Sequence, residues 1–332
     1  MDSRVSFATR PFSVVLPAVL LGLLRSLAAG LPMGPAPAQP QPPEEGGVAS
    51  FDESVSVSWV LVPVVVRSRH GHVEGLGRED FRVWVDGRPA AVDGVDLGEE
   101  LPLAVVYLQD LSGSIANSGK LDASRRALSE LLVRSRERDE VALATFAGER
   151  LRIEVPFTGE RGALEESMGL WEAYGTTALH DAVSLLPDIS QQGRSGRRVA
   201  VLVTDGLDNA SALDPEEAVA IVRGASLPVY VLGLTAGRPA RPETARTERY
   251  ADLLAGLAER SGGRYFEVAG AEEAGQAVAA LVDDLRRRYV LAVATAGDGA
   301  KAYHEIRVEA ALPYRHTLTH RKGYYGTPPI ED

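Results

Sequence analysis

The sequence predicts an α/β fold: a doubly wound, mostly parallel sheet flanked by helices, joined to a small all-β sandwich formed by the N- and C-terminal flanks. Three observations carry this. Four apolar runs, LAVVYL (103–108), VALATF (141–146), RVAVLVT (198–204) and PVYVLGL (228–234), show no polar alternation, as strands buried on both faces do. Helical patterns lie between them, which places the strands in one covered sheet. On both sides of this region the pattern switches to period two, the mark of half-buried strands.

The first element is an export signal. Arg4 and Arg10 precede the apolar run Pro11 to Leu24, and the small residues Ser26-Leu27-Ala28-Ala29-Gly30 follow. A basic start, a short apolar stretch and a small-residue exit describe a signal peptide or N-terminal anchor over 1–30. The run is shorter than the ~20 residues of a membrane span. Residues 31–52 (LPMGPAPAQPQPPEEGGVASFD) are rich in Pro, Ala and Gly and read as an extended linker.

A β-rich segment is expected over 53–100. Val55, Val57, Trp59 and Leu61 alternate with polar or small neighbours, and Phe81, Val83 and Val85 alternate with Arg82, Trp84 and Asp86. Asp86-Gly87 and Asp93-Gly94 supply turn residues. Residues 101–289 hold the α/β region. In it Asp214-Pro215-Glu216-Glu217 reads as a helix start, with an N-cap Asp, Pro at the first position and Glu at the third. In its last helix Ala274, Val278, Leu281, Val282 and Leu285 share one face. The Arg286-Arg287-Arg288 end of that helix reads as capping of a helix C-terminus. Residues 290–326 return to strands, with Ile306 and Val308 alternating with Glu305, Arg307 and Glu309. This segment is expected to pair with 53–100, because about 45 residues alone make a poor β core. Residues 327–332 are a tail.

Composition narrows the function. The chain has 332 residues, 45% hydrophobic and 24% charged, with a net charge of −11 and no cysteine. That length suits roughly two domains of about 150 residues. The acidity argues against nucleic acid or an anionic membrane surface as partner, so membrane contact is expected only through an uncleaved N-terminal segment. Without cysteine there is no disulfide, thiol catalysis, Cys-ligated zinc or lipidated cysteine.

In open α/β sheets ligands bind at the carboxyl ends of strands. The first apolar run ends in Asp110-Leu111-Ser112-Gly113-Ser114, and the third in Thr204-Asp205-Gly206. Between them lies Gly175-Thr176-Thr177-Ala178-Leu179-His180-Asp181. Three loops thus offer two carboxylates and three or four hydroxyls. Such oxygens suit Mg²⁺ or Mn²⁺, with zinc disfavoured. Two carboxylates do not fill six positions, so water or a partner's carboxylate would complete the shell.

Asp-x-Ser-x-Ser, then Gly-x-Thr, then Thr-Asp-Gly, in this order, resembles the von Willebrand factor type A domain and its metal-ion-dependent adhesion site, over roughly residues 101–289. The resemblance implies a Rossmann-like fold. It implies Ser112, Ser114 and Thr177 (rather than Thr176) as hydroxyl ligands, and Asp110 and Asp205 as ligands directly or through water. The flanks resemble a narrower group, the exported von Willebrand A-related proteins abundant in Acidobacteria. The stretches that carry this are Val64-Val65-Val66-Arg67, Gly71, Gly75-Leu76, Glu79-Asp80-Phe81, Asp86-Gly87, Leu101-Pro102-Leu103, Ser261-Gly262-Gly263-Arg264-Tyr265-Phe266 and Lys322-Gly323-Tyr324-Tyr325.

Blander readings compete at several residues. Asp110 to Ser114 alone could be a hydroxyl-capped turn. Asp181 reads as a first-turn carboxylate favoured by the helix dipole, His180 as a packing residue, and Asp208 and Asn209 as turn formers or the rim of the site. His70 and His72 read as solvated turn residues, and Trp59, Trp84 and Trp171 as packing. An aspartyl-phosphate phosphatase would place a second Asp two residues after the first as acid/base. Here that position is Ser112, no Lys stands out as a phosphate partner, and no Gly-x-Gly-x-x-Gly, Walker-type or Gly-x-Ser-x-Gly motif is present. The expectation is therefore an exported, non-enzymatic, divalent-cation-dependent binder, of the adhesion or scaffold kind. Its partner would be a protein or peptide that offers a Glu or Asp carboxylate to the metal. A metal-independent scaffold of the cell envelope is the alternative.

Overall fold

The strand β1 (Val57–Ser68) sets the sandwich and inverts one expectation. Val62, Val64 and Val66 enter the sandwich core and Val65 is buried on the other face, while Trp59 and Leu61 are each 60% exposed. The run WVLVPVVV is apolar on both faces, so alternation alone does not say which face turns inward. Of the alternating apolar set Val55, Val57, Trp59 and Leu61, Trp59 and Leu61 are on the opposite phase from the core, and Trp59 is not a packing residue. Its indole Nε1 donates to Asp93 Oδ2 at 2.6 Å.

The computed structural model describes residues 57–98, 101–116, 119–148, 150–236, 245–296 and 303–325. The expected export segment (1–30), linker (31–52) and tail (327–332) lie outside the described residues. After β1 come β2 (Gly71–His72), β3 (Phe81–Val85), β4 (Arg88–Ala90) and β5 (Val92–Leu97). Asp86 (φ 50°) and Gly87 (φ 74°) join β3 to β4; two left-handed residues in a two-residue hairpin match the twist of the strands. Asp93-Gly94, expected as a turn, instead lies inside β5. Ala292 faces Gly94 and Val293 faces Val92, so Asp93 is the extra residue of a β-bulge, and local turn propensity yields to pairing.

The α/β region contributes β6 (Ala104–Asp110), α1 (Lys120–Arg134), β7 (Glu140–Ala147), β8 (Arg150–Thr158), α2 (Arg161–Gly169), α3 (Leu179–Ser184) and α4 (Leu186–Ser190). It continues with β9 (Arg198–Thr204), α5 (Pro215–Gly224), β10 (Val229–Leu234), α6 (Ala245–Ser261), β11 (Tyr265–Val268) and α7 (Ala271–Arg286). As expected, Asp214 caps α5: its side chain accepts from the Glu217 amide at 2.8 Å, and Glu217 reaches back to the Asp214 amide at 3.0 Å. The last strands are β12 (Tyr289–Ala296), β13 (Tyr303–Ala310), β14 (His316–His320) and β15 (Gly323–Tyr325).

The central sheet has the order β11-β10-β9-β6-β7-β8, all parallel except the β7–β8 hairpin. One face packs on α1 and α7 through Leu128, Leu131, Val278 and Leu281. The other packs on α3 to α6 through Leu179, Leu186, Val222 and Leu257. The flanks form two antiparallel sheets, β14-β1-β12-β5 with β2 on β1, and β15-β13-β3-β4. Both sheets mix N-terminal and C-terminal strands, which alternate in the first and meet at the β13–β3 pair in the second: Val64 pairs with Tyr289 and with His320, and Val83 with Val308. Their shared core includes Val62, Val64, Phe81, Leu291, Ile306 and Val308.

Sandwich and α/β region belong to one compact unit, and charged groups line their junction. Arg286 does not cap the helix that carries it. It is buried and pairs with Asp139, while the Arg287 side chain pairs with Glu74 at 3.3 Å. His72, expected in solvent, is half-buried, and its Nε2 meets Asp284 Oδ1 at 2.8 Å. Asp284, 1% exposed, also pairs with Arg67. None of the described helices is long and apolar enough to cross a membrane.

Candidate functional site

The central sheet reverses its winding between β6 and β9. From β6 the chain builds outward to β7 and β8, then returns to β9 and builds the other way to β10 and β11. The loops leaving β6 and β9 therefore diverge and leave a crevice at the carboxyl ends of the two strands. Asp110 ends β6, and Asp205 directly follows Thr204, the last residue of β9.

Asp110 is fully buried. Its Oδ1 accepts from the Ser112 amide at 2.8 Å and its Oδ2 from the Thr204 hydroxyl at 2.6 Å. The neighbouring side chains point elsewhere. Gln109 reaches Ser124 Oγ on α1 at 3.0 Å, and Leu111 enters the core. This alternation leaves Asp110, Ser112 and Ser114 to the crevice. The Ser112 and Ser114 hydroxyls stand 3.2 Å apart.

The loop with Thr177 is fastened from two sides. The Gly113 amide donates to the Gly175 carbonyl at 3.0 Å, and Tyr174 N to the Leu111 carbonyl at 2.8 Å. Gly175 has φ 75°, and a Cβ there would meet the Gly148 amide nitrogen at 3.6 Å; the left-handed backbone, more than crowding, favours glycine at this point. On the other side Asn209 Oδ1 accepts from Thr177 N at 2.9 Å, and the Asn209 amide donates back to the Thr177 carbonyl at 3.0 Å. Thr177 is 2% exposed.

Asp208 and Asn209 thus do more than form a turn. Asp208 Oδ2 accepts from Leu179 N at 2.8 Å and from Ser211 Oγ at 2.5 Å, closing the start of α3. Asp181 lies in the first turn of α3, and its carboxylate accepts from Leu213 N at 2.9 Å and Ala212 N at 3.0 Å. It therefore braces a loop. His180 Nδ1 lies 3.2 Å from the Leu213 carbonyl, a packing position. Trp171 is buried and stacks on Tyr107 at 6.5 Å between centroids.

One residue of the crevice has no counterpart in the sequence reading. Lys120, at the start of α1, places its ammonium 2.8 Å from Asp205 Oδ2 and 3.2 Å from the Ser114 carbonyl. It is 8% exposed. Asp205 Oδ1 accepts from Leu207 N at 3.3 Å. Nothing local signals this pairing; a partner 85 positions away becomes visible only once the β6–β9 adjacency is known.

The donors fit a hard divalent cation. Oxygens on adjacent vertices of a Mg²⁺ octahedron with bonds of about 2.1 Å stand roughly 3 Å apart, close to the spacing of the two serine hydroxyls. Burial pushes the Asp110 carboxyl up to about 6, with the charge of Asp205 adding to the rise against the hydrogen bonds from Thr204 and Ser112. Such a carboxylate, held by neutral donors, gains from a nearby positive charge. Among the described residues no cluster of three or more His, Cys, Asp or Glu forms a conventional metal site, so a cation here depends on the hydroxyls.

A doubly wound sheet with Asp110 and Asp205 at its switch point defines an open α/β domain. Residues 105–207 match the family model of the von Willebrand factor type A domain, and the α/β region has the doubly wound fold of that domain. No curated protein matches the sequence.

Solved structures give distant likenesses. An aerotolerance-related membrane protein from Bacteroides fragilis is 20% identical, with a TM-score of 0.43 over 55% of this chain and 98% of that one. A von Willebrand factor type A protein from Catenulispora acidiphila is 13% identical, with a TM-score of 0.48 over 83% and 74%. The von Willebrand factor domain of a type V pili tip protein from Porphyromonas gingivalis is 11% identical, with a TM-score of 0.41 over 56% and 94%.

Proposed function

We propose that this is an exported binding protein that takes a protein or peptide partner through a divalent cation, Mg²⁺ or Mn²⁺, held by Asp110, Ser112, Ser114, Thr177 and Asp205. The observation that carries the reading is a buried Asp110 hydrogen-bonded at the switch point, with the Ser112 and Ser114 hydroxyls 3.2 Å apart in the loop that follows it. Bound there, the cation would supply a Lewis-acid point for a partner's Glu or Asp side chain. The chain's own residues do the rest. Thr204 and the Ser112 amide orient the Asp110 carboxylate, and Asn209 holds the backbone at Thr177. The net charge of −11 makes an acidic partner group unwelcome unless a cation lies between.

The role is binding and not catalysis. This reading is favoured by Ser112, which stands where an aspartyl-phosphate phosphatase would carry its acid/base Asp two residues after the first. A second reading, a scaffold that works without metal, is favoured by one observation: the Lys120 ammonium already neutralises Asp205.

The deciding experiment is partner capture from envelope extract by the wild-type chain and by Asp110→Ala, each in Mg²⁺ and in EDTA. The proposal expects capture by wild type in Mg²⁺, and loss in EDTA and in the variant. Equal recovery in all four arms would leave the metal-independent scaffold. Fractionation of the native cells tests export, and a cytoplasmic pool alone would remove it.

A further inference from the structure

We infer that Lys120 is a tethered competitor for the cation: its ammonium and an incoming divalent ion share the Asp205 carboxylate, so that Lys120 sets how strongly the site holds metal. This rests on the reading of the crevice as a divalent-cation site and concerns its regulation.

Lys120 is the first residue of α1, following Gly119 at φ 72° with no side-chain cap. A cation is unfavourable at that position, because the amino end of a helix is the positive end of its dipole. The ammonium also gives up most of its hydration: its side chain is 10% exposed, and that of Asp205 is fully buried. Local preference therefore opposes this placement, and the ion pair at 2.8 Å with the hydrogen bond to the Ser114 carbonyl at 3.2 Å must offset both costs. The carbonyl it takes belongs to one of the two serines that offer hydroxyls, and the carboxylate it takes is one of the two in the site.

The charges support exchange. Asp110 and Asp205 bring two negative charges to the crevice, and Lys120 cancels one. With no divalent ion bound, the ammonium, 2.8 Å from Asp205 Oδ2, offsets the repulsion between the two acids. With a divalent ion bound, the ammonium becomes a like charge close by, in surroundings of low effective dielectric where such repulsion is strong. The four-carbon stem of lysine lets the ammonium swing aside without moving the helix. Lysine thus stabilises the metal-free state and opposes the loaded one.

The test is Mn²⁺ titration by calorimetry, with thermal melts in EDTA and in Mn²⁺, on the full chain and on Lys120→Met, which keeps the length and loses the charge. Lys120→Met is expected to bind Mn²⁺ at least tenfold more tightly, to melt lower than wild type in EDTA, and to recover most of that loss in Mn²⁺. Lys120→Arg, which keeps the charge, is expected to bind within about threefold of wild type. Equal or weaker Mn²⁺ binding by Lys120→Met, with wild type binding normally, overturns the inference and leaves the cation reading standing. Binding by the variant alone supports the inference and removes cation dependence from the native chain. Absence of binding in both removes both readings. A variant that folds only with Mn²⁺ supports the inference, and one that folds in neither condition overturns it.

Discussion

Asp110 and Thr204 are joined across the switch point by a 2.6 Å hydrogen bond from the threonine hydroxyl to Oδ2 of the carboxylate. Both residues are fully buried and sit at the ends of adjacent parallel strands. The bond is therefore a tie between the two halves of the sheet as well as a brace for the candidate ligand. Thr204→Val keeps the shape and deletes the donor, leaving one oxygen of a buried carboxylate short of a partner. A loss of about 1–3 kcal/mol is expected. Urea denaturation should show a lower midpoint at unchanged slope, and an unchanged midpoint would mean that the bond carries no net stability.

Asp208 holds the start of α3 and, with Asn209 beside it, the loop that carries Thr177. Asp208→Ala frees the Leu179 amide and the Ser211 hydroxyl together, so about 1–2 kcal/mol should be lost, the size of losing a helix N-cap side chain. Mn²⁺ binding should weaken by less than in Asp110→Ala, since Asp208 positions a donor and is not one. Calorimetry on the two variants ranks them, and the reverse order would place Asp208 among the ligands.

Asp284 collects Arg67 and His72 at the junction between sandwich and α/β region. Its side chain is 2% exposed and that of Arg67 18%, and burial lowers the Arg67 guanidinium to about 10. Asp284→Ala strands this cation in the junction, and the loss of one partner of a buried pair costs about 3–5 kcal/mol. Asp284→Leu with Arg67→Met should recover much of it, because an apolar pair avoids the desolvation of both charges. Chemical denaturation of the two proteins measures the difference.

His320, 5% exposed, keeps its Nδ1 against the Arg321 carbonyl at 2.7 Å. Burial lowers its folded pKa below the ordinary 6.5. The unfolded chain therefore takes up a proton near pH 6.5 while the folded chain resists it. This contribution to stability is present above pH 6.5 and is lost as pH falls through the folded value. Melting temperature should drop from pH 7 to pH 5, and His320→Gln should flatten the slope. An identical slope in the variant would assign the acid sensitivity to other groups.

The sequence exposes some of this architecture and hides the rest for physical reasons. The buried strands, the capped start at Asp214 and the inward face of α7 follow from local patterns of hydrophobicity and hydrogen bonding. Asp110, Ser112 and Ser114 share one loop, so their spacing can be read directly. Lys120 and His72 find their partners 85 and 212 positions away, and such pairings depend on which strands become neighbours. Asp93-Gly94 carries turn chemistry that strand pairing overrides with a bulge.

The phase of β1 gives the sharpest test of packing against pattern. Leu61 and Val62 are consecutive, both apolar, and indistinguishable by hydropathy. The structure leaves Leu61 60% exposed and Val62 with no exposure. Val62→Ala removes two buried methyl groups from a core shared with Leu291 and Ile306, and should cost about 2–3 kcal/mol in transfer and cavity terms. Leu61→Ala should stay within about 0.5 kcal/mol of wild type. Because one step along a strand reverses the face of every side chain, the two variants would exchange their effects if β1 were shifted by a single residue. Denaturation midpoints of this pair thus fix the register of the strand that joins the two flanks.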